Sequence, residues 1–80
     1  MASVRDSLAR LVELIVDEPG EVVVDEIPGR DSVLLELQVA TEDLGKVIGR
    51  QGRTIRALRS LLAARGTQDG ERYELELVED

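Results

Sequence analysis

Lys46-Val47-Ile48-Gly49-Arg50-Gln51-Gly52-Arg53-Thr54-Ile55 decides how this chain is read. Two glycines three residues apart break a stretch that carries apolar and basic residues and no acid. A tight bend at that point needs residues that tolerate unusual dihedrals and carry no bulk. Bare backbone lets a sugar-phosphate chain come close, and the helix that follows turns its free N–H groups and positive dipole end toward an anion. Arg50 stands at the tip of the bend, Arg53 opens the following helix, Arg56 lies one turn further, and Lys46 approaches from the preceding helix. The natural guest is anionic.

Outward from this bend the pattern resolves into short elements. On the N-terminal side, Thr41-Glu42-Asp43 reads as a helix start, a capping hydroxyl followed by acids near the positive end. That helix is brief, because the glycines interrupt it. On the C-terminal side a second helix runs from about residue 53 to 64, with Ile55, Leu58, Leu61 and Leu62 apolar and Arg53, Arg56 and Arg59 on another face. Gly66-Thr67-Gln68-Asp69-Gly70 reads as a loop. Residues 71–79 then alternate, with Tyr73, Leu75 and Leu77 inward. Upstream, residues 32–40 alternate as a half-buried strand (Val33, Leu35, Leu37, Val39). The turn Pro28-Gly29-Arg30-Asp31 joins it to a β-branched strand at residues 21–27. Before Pro19-Gly20, residues Val4, Leu8, Leu11, Val12 and Ile15 recur at helical spacing behind a capping Ser3. The order α-β-β-α-α-β predicts an α+β fold, a three-stranded sheet with helices packed on one face, as one domain over residues 1–80.

Composition narrows the chemistry. The chain has 80 residues, with no cysteine and no histidine. Disulfides, cysteine metal sites and every Ser-His or Cys-His arrangement are excluded. The net charge of −7 argues against nucleic acid when the chain is taken whole. Its distribution argues the other way: residues 46–65 hold six basic side chains (Lys46, Arg50, Arg53, Arg56, Arg59, Arg65) and no acid, while the other sixty hold four basic and seventeen acidic ones. No apolar run reaches the roughly 20 residues of a membrane span, and the N-terminus lacks a signal-peptide pattern, so a cytoplasmic protein without membrane association is expected.

The string from Val47 to Ile55 resembles the GXXG signature of KH domains, an apolar-Ile-Gly-x-x-Gly pattern with an isoleucine three residues after. The element order matches the type II KH arrangement, and the length resembles the KhpA family of small bacterial KH proteins. The resemblance covers residues 3–79. It implies a cytoplasmic protein that binds single-stranded RNA, acting as an RNA chaperone or post-transcriptional regulator, paired with itself or with a larger KhpB-like KH protein. It further implies a link to cell elongation and envelope homeostasis. By the same resemblance Gly49, Arg50, Gln51 and Gly52 contact phosphates, with Lys46, Arg53 and Arg56 supporting, and Ile48 helps line a groove whose outer edge is the strand after Gly70. No catalytic residue, metal or cofactor is expected. Tyr73 is the only aromatic residue, so a base-stacking platform of the RRM or OB kind is excluded, whereas an aliphatic KH groove is not.

Other readings stay open at this level. The glycines could form a plain helix-turn-helix bend, the arginines a solvated face, and Ile48 and Ile55 core packing. A degenerate KH domain used only for protein pairing is favoured by an exposed aliphatic strip on the first helix, with Leu14 and Val16 beside its main face, and by the strongly acidic remainder. An enzyme that binds a nucleotide phosphate lacks support, because there is no Gly-Lys-Ser/Thr ending and no Gly-x-Gly-x-x-Gly.

Overall fold

The computed structural model describes residues 3–79. Helix α1 spans Val4–Glu13 and starts where expected: the Ser3 hydroxyl accepts the Asp6 N–H at 3.1 Å. A single 3-10 turn, Pro19–Glu21, leads into strand β1, Val23–Pro28. Strand β2 is Val33–Gln38. A second 3-10 turn, Thr41–Asp43, precedes the short helix α2, Leu44–Ile48. A third, Arg50–Gly52, precedes the long helix α3, Arg53–Asp69, and strand β3 is Tyr73–Leu77.

The sheet order is β1-β2-β3. The β1–β2 hairpin is antiparallel and pairs Val24 with Leu37, while β3 lies parallel to β2 and pairs Leu75 with Leu35. A parallel neighbour requires a crossover, and α2 with α3 supplies it. Alternation puts Val24, Leu35, Leu37 and Leu75 on the covered face, where they meet Val4, Leu8, Val12 and Val16 from α1 and its extension, Val47 from α2, and Ile55, Leu58 and Leu62 from α3. Val12, Val24, Leu35, Leu37 and Val47 are fully buried. Each such side chain contributes about 1.5–3 kcal/mol of transfer free energy. The architecture is the expected α+β layer.

Four local expectations are corrected. The apolar face of the first helix continues to Val16 rather than Ile15, which is exposed, because α1 loses its regular turn after Glu13; Leu11, still inside the helix, is exposed at the edge of an open cleft. Leu61 is also exposed, one position off the Ile55–Leu58–Leu62 stripe. Helix α3 continues through residues 65–69, so only Gly70 remains of the expected loop; it ends the helix at φ +68°. Gly66 is a buried helical residue, lacking a side chain because the Glu71 carbonyl lies where its Cβ would be. Finally, Thr41 provides no side-chain cap, and the neighbouring Asp43 is fully buried with a different task.

Candidate nucleic-acid interface

The bend between α2 and α3 is built from three departures from ordinary backbone within four residues. Gly49 lies at φ +78°, ψ 168°, a combination open essentially to glycine alone. Gln51 (φ 57°) and Gly52 (φ +73°) are both left-handed. Gly49 is further fixed by its neighbour: a Cβ there would lie 2.8 Å from the Thr54 backbone nitrogen and against the Thr54 side chain. At Gly52 a Cβ would find the Arg56 guanidinium at 3.3 Å. Gly49 is thus a steric requirement of this fold, and Gly52 is favoured by its left-handed backbone. The pair leaves the backbone stripped of side chains where Arg56 folds over it.

The structure brings the residues singled out in the sequence to one end of the molecule. Arg50 and Gln51 are exposed at the tip of the bend. Arg53 is exposed on the first turn of α3 and donates to Gln51 Oε1 at 3.3 Å. Arg56 is exposed one turn on. Ile48 closes α2 and is half-buried, whereas Ile55 is buried in the core. Helix α3 begins without a side-chain cap and without an acid in its first turn. Among the described residues no carboxylate pairs with Arg50, Arg53 or Arg56. Cations beside the positive end of a helix dipole repel it, so the region holds unneutralised positive charge. Further along α3, Arg59 donates to the Leu75 carbonyl at 3.3 Å and ties the helix to β3.

Lys46 stands apart from the arginines. It lies on α2, but its ammonium is hydrogen-bonded and ion-paired to the Asp17 carboxylate, which raises the Lys46 pKa above its ordinary value. Two residues of this corner carried no signal in the sequence. Asp43 is fully buried and accepts the backbone N–H groups of Asp17 at 3.1 Å and Glu18 at 3.0 Å. Asp17 reaches Lys46 across a separation of 29 residues. Neither contact has a sequence spacing that could announce it.

Residues 5–77 match the family model described as "KhpA/KhpB, KH domain". The chain is 47% identical over 72 residues to a protein of Treponema pallidum named RNA-binding protein KhpA, covering 90% of each chain. A protein of the same name from Aquifex aeolicus is 43% identical over 79 residues, covering 99% of this chain and all of the other. One from Chlamydia caviae is 41% identical over 76 residues, covering 95% of this chain and 97% of the other.

Proposed function

The chain belongs to the KhpA/KhpB KH-domain family, and from that premise we propose that it binds single-stranded RNA as one KH domain, with the GXXG loop at residues 49–52 as the phosphate clamp. The observation that carries this reading is the bend itself. Thr54 forces a bare backbone at Gly49, and three arginines without carboxylate partners among the described residues flank it at an uncapped helix start. An anionic backbone supplies the missing countercharge. Ile48 lines the groove floor, and Arg59 bridging to Leu75 sets the distance between α3 and the β3 wall. Recognition then rests on charge and shape, with low sequence specificity and no catalysis.

Arg50, Arg53 and Arg56, with Lys46 as a fourth cation, give a slope of log K against log salt of about −2 to −3 for a single strand. Replacing Arg50 and Gln51 together by Asp abolishes RNA binding in a filter or anisotropy assay, while circular dichroism shows an intact fold, because both side chains are exposed. RNA binding that survives this double substitution places the site elsewhere.

A groove for about four nucleotides gives modest affinity, so function as a cytoplasmic RNA chaperone or post-transcriptional regulator calls for a homodimer or a KhpB-like partner to add avidity. A link to cell elongation and envelope homeostasis belongs to the same reading. An apolar cleft between α1 and α3, with Leu8, Leu58 and Leu62 inside and exposed Leu11 and Leu61 on its rim, supports such pairing. It also supports a second reading, a pairing module that does not touch RNA. Crosslinking in cells separates the two: partner recovered without RNA favours the second. Among the described residues no helix is long and apolar enough to cross a membrane.

A further inference from the structure

Lys46 and Asp17 are held on a common scaffold. The Thr41–Asp43 turn ends in Asp43, and α2 carries Lys46 three residues later. The Asp43 carboxylate, fully buried, grips the backbone N–H groups of Asp17 and Glu18. The turn that bears Asp17 is therefore fixed to the start of the helix that bears Lys46. The Asp17 side chain itself is 72% exposed and, among the described residues, bonds Lys46 alone, and the Lys46 side chain is 43% exposed. A buried carboxylate thus positions an exposed one against a cation at the edge of the RNA site. Arg50, Arg53 and Arg56 meet no such acid among the described residues.

We propose that Asp17 is an internal competitor for phosphate: its carboxylate occupies Lys46 in the free protein, and RNA reaches that ammonium only by displacing it. This rests on the Gly49–Gly52 loop being the RNA site and adds a residue outside the loop that sets its affinity. Exposed ion pairs are weak, so displacement is readily reversible. Asp17 trims affinity without abolishing it, and bound RNA dissociates faster than four unhindered cations would allow.

The test is a double-mutant cycle read by fluorescence anisotropy with a labelled oligouridine octamer, in low salt and across a salt series. Asp17→Asn keeps the backbone N–H that Asp43 grips, so the fold persists, as a melting curve verifies. The expected result is binding about two- to fourfold tighter and a salt slope steeper by up to about 0.7, because no freed Asp17 carboxylate takes up a cation when Lys46 turns to phosphate. Glu18→Gln removes the same charge one residue away and shifts binding less. Lys46→Ala costs at least twofold more in the Asp17→Asn background than in the wild type. The proposal is overturned if Asp17→Asn tightens binding no more than Glu18→Gln does, or if the cost of Lys46→Ala is equal in both backgrounds. Loss of binding on substituting Arg50 and Gln51, together with a flat cycle, rejects the Asp17 role and keeps the loop as the site. Binding that ignores the loop substitution rejects both.

Discussion

At its C-terminal end α3 runs into left-handed Gly70, and at its N-terminal end it issues from left-handed Gly52. Both ends also place charge against the helix dipole, Asp69 at the negative end and Arg53 at the positive one. The C-terminal end settles its charge internally. Asp69 accepts from Tyr73 Oη at 2.7 Å and from Arg65 Nε at 2.9 Å, and the Glu71 N–H closes the chain onto the Gly66 carbonyl at 2.9 Å. The N-terminal end leaves its arginines without carboxylates among the described residues. One end is finished by the protein alone. The other leaves exposed arginines at an uncapped helix start, and that difference separates a glycine turn closed by its own side chains from one left open to solvent.

The comparison can be broken at the glycines first. Gly49→Ala combines a glycine-only conformation with a collision against Thr54, and a loss of about 3 kcal/mol is expected in chemical denaturation. Gly70→Ala meets nothing within 4 Å and bears only the left-handed strain, about 1 kcal/mol. Equal losses at the two positions would show that Thr54 yields and that the bend is no tighter than the C-terminal turn. A smaller effect of opposite sign sharpens the contrast. Arg53→Gln without RNA raises stability by about 0.5 kcal/mol at low salt, because it removes a cation from the positive end of a helix. Destabilisation instead would mean that Arg53 serves the fold.

The smallest effect is read by titration. The Asp69 carboxylate holds the Tyr73 hydroxyl up to about 12, from an ordinary 10.0. The same hydrogen bond, with Arg65 beside it, lowers Asp69 below its ordinary 3.8. A raised tyrosine favours the folded state fully below pH 10 and loses that contribution as pH rises toward 12; a lowered aspartate contributes above its ordinary value and loses that as pH falls. Tyr73 is the only aromatic residue, so phenolate absorbance reports it alone. Its midpoint near 12 returns toward 10 in Asp69→Asn.

The element order, the hairpin, the interruption at Gly49–Gly52 and the cluster of basic residues were legible because each is local: alternation, helical spacing, or glycine next to arginine. What escaped depends on tertiary packing. Gly66 looked like loop chemistry because its reason for lacking a side chain, the Glu71 carbonyl, lies beyond the end of the helix. Leu11 and Leu61 matched the apolar spacing, yet both flank an open cleft. Asp43 looked like an ordinary acid of a helix start, and nothing local distinguishes a carboxylate that will cap a turn 25 residues upstream. Of the basic residues, the sequence could not separate Lys46, which has an acid waiting for it, from Arg50, Arg53 and Arg56, which meet none among the described residues.

The bond from Arg59 to the Leu75 carbonyl has one more consequence. Strand β3 is an outer strand, and the outward backbone groups of such strands invite neighbouring chains to add on and grow into fibrils. A guanidinium seated at the middle of β3 occupies the acceptor that an incoming strand would need, and brings a cation that the newcomer would have to bury or push aside. The contact that ties α3 to β3 also sets a cation against lateral addition at the sheet's outer edge.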